Sequence, residues 1–388
     1  MQNNLFPLYE SELGERTNPY LLLDRKSEFK SKFNLVDLFA GIGGFHYGVE
    51  AAAQKFGKGI NTLLVSEIEP NSQKTYKINH KVEVRGDING IELSDYSSNA
   101  DIVTAGFPCQ PFSNSGKKRG LSDPRGQFYF RIEEIIKHFK AKSFILENVP
   151  GIKSNGGGKY RAELSHKPAV IGQSMHFLEE NLLNLKDYEV KWVEVDSSDF
   201  GSPQVRRRVY IIGIHRDYTQ NLNFHFGATP KNNFMSIVDE VIQPKLELSQ
   251  NQEDNLRSFM KNPPSYKNGM RRVGKAYLCK GGNVGQGYHA YGLVPTLTKV
   301  WARFLPIYFP SSEENVPDVN LKTFNPGPNY GHGYFRKVSV REALLLQGFP
   351  KDFIPNENDG LAYEQAGNAV NARVVEKLSE FIFGHINQ

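Results

Sequence analysis

Cysteine is nearly absent from this chain: 388 residues hold two, Cys109 and Cys279, far apart in sequence. So low a count gives no basis for a disulfide framework and rules out a cysteine-rich zinc site. The ten histidines include no His-Glu-x-x-His pair, and no metal is expected. Long apolar runs are missing too. None approaches the roughly 20 residues of a membrane span. The opening MQNNLFPLYESELGER has no basic segment leading into an apolar one, as a secretory leader would. The expectation is a soluble, cytoplasmic protein with reduced thiols. A surplus of charge is also scarce. Lys plus Arg is 47 against 42 for Asp plus Glu, a net +5. That excludes a histone-like or polybasic protein, but not a nucleic-acid enzyme with a local basic face.

What is present is enough apolar material, 39% of residues, for a sizeable core. The length suggests two or three domains at about 150 residues each. Residues 1–32 are polar and weakly patterned, an N-terminal arm. From Phe33 short apolar runs alternate with helical stretches. NLVDLF (34–39), TLLVSE (62–67), ADIVTAGF (100–107), SFILENV (143–149), YEVKWVEV (188–195) and RVYIIGI (208–214) read as strands. Residues 45–56, 131–139 and 170–185 read as helices. Strands alternating with helices argue for a mostly parallel α/β sheet. Residues 215–337 are rich in Asn, Gly, Pro and Tyr and lack clean periodicity, which suggests a second, loop-rich domain. Helical texture returns from Val338, and Val370, Val374, Val375, Leu378 and Ile382 form an amphipathic stripe.

Four motifs carry candidate chemistry. In DLFAGIGGFHYG (37–48) a strand runs into a Gly-rich turn and then a helix, so Gly41, Gly43 and Gly44 would let backbone approach a ligand. The dinucleotide fingerprint requires a further glycine where His46 stands, which disfavours NAD. An ordinary tight turn remains an equal reading of these glycines alone. Glu67 ends the next strand, placed for ribose hydroxyls, and Asp87 could accept from an adenine amino group. In AGFPCQPFSNSGKKRG (105–120) a strand delivers Cys109 to the sheet edge between two prolines, followed by Lys117, Lys118, Arg119 and Arg125. Most lone cysteines are inert small hydrophobes, but nearby cations favour a reactive thiolate. In FILENVPGI (144–152) Glu147 and Asn148 close an apolar strand. A carboxyl there can titrate high enough to act as an acid, or simply cap the following turn. In GSPQVRRRVYIIG (201–213) Arg206 and Arg208 share one face if extended. They suit a carbonyl, carboxylate or phosphate, or form a solvated charge cluster.

Together, in this order, the blocks closely resemble the DNA (cytosine-5)-methyltransferase family. DLFAGIGGF is similar to its first cofactor motif; Glu67 and the Asp87-Ile88 pair to the second and third; GFPCQPFS to the nucleophile motif; ENV to the glutamate motif; QVRRR to the Gln-x-Arg-x-Arg motif. REALLLQGFP (341–350) and QAGNAV (365–370) resemble the last two. Ile68 replaces an aromatic found in some members, and Ala369 a serine. The resemblance implies a doubly wound, Rossmann-like α/β methyltransferase domain over 33–214 plus 338–388, with target recognition in the smaller domain. It implies S-adenosylmethionine as cofactor and S-adenosylhomocysteine as product, held by Phe39, Ala40, Gly41, Gly43, Gly44, Glu67, Ile68, Asp87, Ile88, Pro108, Asn368 and Ala369. Cys109 would add to carbon 6 of cytosine and Glu147 would bond ring nitrogen 3. Asn148 would hold the glutamate's loop, Arg208 would bind the ring carbonyl, and Arg206 would orient Glu147 or the Cys109 loop.

The same resemblance implies base flipping, since the target carbon is inaccessible inside a duplex. The basic segment 113–125 would close over the base, with Ser113 and Ser115 near DNA and Ser115 reaching into the vacated stack. Gln204, Arg271, Arg272, Thr296 and Leu297 complete the expected DNA contacts; Thr296-Leu297 is similar to the Thr-Leu pair of recognition domains. Residues 255–312 carry nine basic side chains and no acid, so the modest +5 hides a +9 block beside a −4 remainder. Tyr266, Tyr277, Tyr288, Tyr291 and Trp301 are interleaved, which suits phosphate and base contact. The expected partners are duplex DNA and, working alongside without a stable complex, a cognate restriction endonuclease; a monomer is expected. A tRNA-modifying cytosine-5 methyltransferase shares the motifs, and a silent DNA-binding paralogue is a third reading. The long variable region favours DNA over tRNA, and intact Cys109, Glu147 and Arg208 argue against silence.

Overall fold

Branched and aromatic runs become strands at each of the six places the pattern indicates. The computed structural model describes residues 20–24, 28–107, 128–153, 160–161, 170–171, 185–219, 221–223, 229, 232–238, 246–261, 288–289, 293–299, 305–309 and 334–387. Its strands are β1 (Lys32–Leu38), β2 (Gly59–Ser66), β3 (Ile102–Ala105), β4 (Ser143–Asn148), β5 (Tyr160–Arg161), β6 (Val170–Ile171), β7 (Tyr188–Asp196), β8 (Gln204–Val205), β9 (Arg207–His215), β10 (Tyr288–His289), β11 (Val294–Pro295), β12 (Pro306–Phe309) and β13 (Tyr334–Lys337). Its α-helices are α1 (Gly44–Lys55), α2 (Pro70–His80), α3 (Phe128–His138), α4 (Gln250–Lys261), α5 (Val340–Leu346), α6 (Asp359–Asn368) and α7 (Ala372–Ile386). Among the described residues no helix is long and apolar enough to cross a membrane.

The central sheet has the order β2-β1-β3-β4-β9-β7. The first four strands are parallel; β9 runs antiparallel to both β4 and β7. Strand order reverses between β1 and β3, so a crevice opens at their carboxyl ends, where ligands sit in such sheets. All four residues of β3 are buried, as a central parallel strand covered on both faces requires.

Helices cover both faces. Ile132, Ile135 and Ile136 of α3 pack with Val103, Phe144 and Ile211 on one side. On the other, α1 and α7 meet Leu35, Ile102, Ile145 and Ile212. The stripe Val374, Val375, Leu378 and Ile382 is fully buried, so the last helix does return to the sheet. At full burial each such side chain contributes about 1.5–3 kcal/mol. Helices α1 and α7 approach closely because Gly48 has no side chain: a Cβ there would fall 2.5 Å from Val375 Cβ.

Two expectations change. The helix expected over 170–185 does not begin as one. Val170–Ile171 pairs antiparallel with Tyr160–Arg161, as two adjacent β-branched residues favour, and 172–184 lie outside the described residues. The arm expected before 33 is not wholly separate: Leu21 is buried, and its N–H donates to Gly348 O at 3.1 Å.

Between β9 and α5, the described residues include a three-stranded sheet, β10-β12-β13, while β11 pairs in parallel with β8. Leu297, Leu305, Ile307 and Phe309 share a core with Leu344, Leu345 and Phe349 of the returning chain. A buried ion pair marks that return. Arg336 donates to both oxygens of Glu342, at 2.8 and 2.5 Å, and Glu342 also accepts from the Ser339 N–H at 2.8 Å. Glu342 is fully buried. Glu342→Gln should therefore lower unfolding free energy by about 3–5 kcal/mol, because it strands a buried guanidinium. Urea unfolding would read this directly; a loss under about 1 kcal/mol would show that water replaces the carboxylate.

Candidate active site

The turn after β1 reverses the chain in few residues. Phe39 (φ 53°), Gly41 (φ 56°) and Gly43 (φ 92°) are left-handed, and α1 starts at Gly44. Glu67, just past β2, braces this turn. Its Oε2 accepts from Gly41 N at 2.8 Å and its Oε1 from Glu69 N at 2.9 Å. A carboxylate has about four acceptor positions, so bracing the turn leaves capacity for hydroxyl groups. Ala40 N bonds Ser66 O at 3.0 Å, which joins the turn to the end of β2. Ile68 is 68% exposed, an unusual position for so large an apolar side chain. Asp87 is exposed and caps a short 3-10 turn through Asn89 N at 3.0 Å, while Ile88 is buried. Asn368 ends α6 exposed, and Ala369 beside it is buried.

Strands β4 and β9 bring the second group together. Their antiparallel register sets Glu147 opposite Tyr210. Arg208 Nε lies 2.9 Å from Glu147 Oε1, with both side chains about 85% buried at 15% and 14% exposure. A Cβ placed on Gly106 would fall 3.9 Å from Glu147 Oε2, so the carboxylate stands beside the end of β3. The next two residues after Phe107 are Pro108 and Cys109. Asn148 ties the two strand ends: its Nδ2 donates to Phe107 O at 3.2 Å, and its Oδ1 accepts from Val149 N.

Three side chains are placed otherwise than the motifs suggested. Arg206 was expected to orient Glu147 or the Cys109 loop. Its Nη atoms instead donate to Leu297 O at 2.9 Å, Ala369 O at 2.7 Å and Gly367 O at 3.3 Å. Burial and the neighbouring Arg208 push its guanidinium down to about 9, still charged at neutral pH. Gln204 and Leu297, expected to contact DNA, are both buried. Gln204 is locked by the β8–β11 pairing and Leu297 by the core under α5. Thr296 Oγ1 donates to Val205 O at 2.8 Å, closing the same joint. Pro108, Cys109, Ser113, Ser115, Arg271 and Arg272 lie outside the described residues.

The family model for C-5 cytosine-specific DNA methylases matches residues 33–384. The chain belongs to that family. Two Type II methyltransferases are similar along nearly all of it. M1.ScrFI of Lactococcus lactis subsp. cremoris is 31% identical over 353 residues, covering 90% of this chain and 78% of that protein. M.HpaII of Haemophilus parainfluenzae is 29% identical, covering 97% and 96%. Among solved structures, the Entamoeba histolytica methyltransferase EhMeth aligns with TM-score 0.65 at 18% identity, over 92% of this chain and all of that one. Spodoptera frugiperda DNMT2 aligns at 0.60 and 18%, over 91% and 100%. At such identities these two establish the fold.

In this cytosine-5 DNA methyltransferase one group beneath the Gly-rich turn was not singled out from sequence. Asp37 is fully buried in β1 and accepts from Thr104 Oγ1 at 2.8 Å and Tyr76 Oη at 3.2 Å. Burial pushes its carboxyl up to about 7, against the two hydrogen bonds that hold it down. Its signal was an acid inside an apolar strand, NLVDLF.

Proposed function

We propose that this DNA methyltransferase takes a methyl group from S-adenosylmethionine, leaving S-adenosylhomocysteine, and places it on carbon 5 of a cytosine flipped out of a specific duplex sequence. Cys109 is the nucleophile. The observation that carries this reading is the Glu147–Arg208 pair beside the strand end that continues into Pro108-Cys109.

The residues at the crevice fit the cofactor. Among the described residues, no atom beyond the chain neighbours lies within 4 Å of a Cβ built on Gly41, so the turn is open on that side. Exposed Ile68 offers an apolar contact for adenine, Glu67 and Asp87 offer acceptors, and in this reading Phe39, Ala40, Gly43, Gly44, Ile88, Asn368 and Ala369 contribute to the same site, with Pro108, outside the described residues, assigned to it by the motif alone. Bound there, S-adenosylmethionine supplies an electrophilic methyl group on sulfur. The chain supplies the rest. Cys109 adds to carbon 6 and makes carbon 5 nucleophilic. Glu147 shares a proton with ring nitrogen 3, and Arg208, with N–H groups beyond the one on Glu147, takes the ring carbonyl. Asn148 fixes the loop between them. After transfer the carbon-5 proton leaves, and the thiol is eliminated.

Residues 33–214 and 338–388 form the catalytic domain in this reading, residues 215–337 recognise DNA, and 1–32 are an arm. The chain works as a monomer in the cytoplasm, paired in role but not in a stable complex with a restriction endonuclease, as the relatives' Type II names suggest. The test is sequencing of methylated cytosines after incubation of the chain with duplex DNA and cofactor, with tRNA in parallel. One recurrent duplex sequence supports the proposal; methylation confined to tRNA overturns it.

The +9 segment supplies the phosphate-binding charge. Neutralising Arg271 and Arg272 should flatten the plot of log binding constant against log salt by roughly 0.9 for each phosphate no longer neutralised. An unchanged slope would remove these two from the interface.

A further inference from the structure

Helix α1 carries a second group of chemically competent side chains that methyl transfer does not use. His46 and Glu50 stand four residues apart on α1, so they share one face. His80 is the last residue of α2. One ring nitrogen from each histidine and one carboxylate oxygen all lie within 4.8 Å of one another. No His-Glu-x-x-His pattern announced this group, because the third ligand comes from another helix 30 residues on.

The surroundings orient His46 as a ligand. Its Nδ1 meets Tyr76 Oη at 2.7 Å. Tyr76 Oη donates its only proton to Asp37 Oδ2 at 3.2 Å, and Thr104 fills Asp37 Oδ1 at 2.8 Å. With Asp37 ionised, the phenol can only accept from His46. That assigns the ring proton to Nδ1 and the lone pair to Nε2. A ligating histidine backed by a hydrogen bond on its other nitrogen, ending in a carboxylate, is the arrangement that fixes tautomer and ring direction in metal sites.

We propose that His46, Glu50 and His80 bind a divalent ion of the zinc class, which joins α1 to α2 beneath the Gly-rich turn. Two imidazoles and one carboxylate suit such an ion, with water as the fourth ligand. The fit needs a small contraction. Ligand atoms all within 4.8 Å of one another put an ion at their centre at most about 2.8 Å from each, and Zn–N and Zn–O bonds are about 2.0–2.2 Å. Glu50 and His80 are half-buried and supply the movement. The two imidazoles, now tilted by 36° with centroids 3.8 Å apart, open as they close on the ion. His80 also fits under the turn itself: a Cβ on Gly43 would fall 2.2 Å from its Nε2. An ion holding His80 therefore stiffens the cofactor turn from below.

The experiment uses the full chain, freed of metal by chelation and titrated with Zn2+ by calorimetry and with Co2+ by visible absorption. The expected result is one equivalent of either ion and a raised Tm. Co2+ ligand-field bands should appear without the thiolate charge-transfer band that Cys109 or Cys279 would give. Glu50→Gln and His80→Gln should each weaken binding at least about tenfold, and Tyr76→Phe by about 10–100-fold, as loss of the supporting hydrogen bond does. Absence of binding, a thiolate band, or equal affinity in all variants overturns the proposal. Should a variant fail to fold, the Co2+-loaded wild-type chain decides. Shifted imidazole resonances from two histidines support the site, and their absence overturns it.

Discussion

Cys109→Ala should lower methyl transfer by about 10^4-fold or more while leaving duplex binding in place. Carbon 5 of cytosine is a poor nucleophile until a group adds at carbon 6. Of the side chains at this edge only a thiol is readily nucleophilic near pH 7. Removing a residue on which every later step depends costs far more than removing one that assists it. Glu147, Arg208 and Asn148 stay where β4 and β9 hold them, so the pocket for the base survives the substitution. Labelled methyl incorporation and a mobility-shift titration on one preparation separate the two quantities. A cytosine carrying fluorine at carbon 5 adds a third readout, since fluorine cannot leave as a proton does. Wild-type chain should form a denaturation-resistant complex with it, and the alanine variant none. A variant that methylates within tenfold of wild type would sink the nucleophile assignment.

The inner strands of the central sheet were legible because they are buried on both faces. Runs such as ADIVTAGF and RVYIIGI need no partner to declare themselves, and all six strands stand where the pattern set them. Element bounds were less legible: β1 starts two residues before NLVDLF and β2 three before TLLVSE, where edge residues such as Asn61 face solvent and carry no apolar signal. Val170–Ile171 shows the failure of periodicity over a short window, since two apolar residues fit a strand as well as a helix. In the site, Glu67, Glu147 and Arg208 end strands, and a strand end fixes position by itself. Arg206, Gln204 and Leu297 are different. Their places depend on which carbonyls and core residues the chain brings back from 90 to 160 residues away. The cluster of His46 with His80 is hidden for the same reason.

Arg206 and Arg208, two residues apart, should fail in different ways. In the proposed reaction Arg208 serves the reacting ring. Its pair with Glu147 is mostly buried, with about 15% of each side chain exposed, so breaking it costs stability as well, about 1–3 kcal/mol for the carboxylate left behind. Arg208→Ala should lower kcat by about 10^2–10^3-fold, the usual cost of losing one aligned donor to a developing charge. Arg206 points away from the chemistry. Its guanidinium is the common donor for carbonyls of Leu297, Gly367 and Ala369, joining the residue after Thr296 to the end of α6. Removing it leaves buried acceptors without a donor, at about 1–3 kcal/mol for each group that water cannot reach. Arg206→Ala should therefore lose about 3 kcal/mol of stability and, measured at low temperature on folded protein, keep kcat within about tenfold. Its KM for the cofactor should rise, because Ala369 is no longer held. Urea unfolding and steady-state kinetics on both variants give the four numbers. If Arg206→Ala were as inactive as Arg208→Ala while equally stable, Arg206 would belong to the ring-binding group, and its three carbonyl bonds would be incidental to its role.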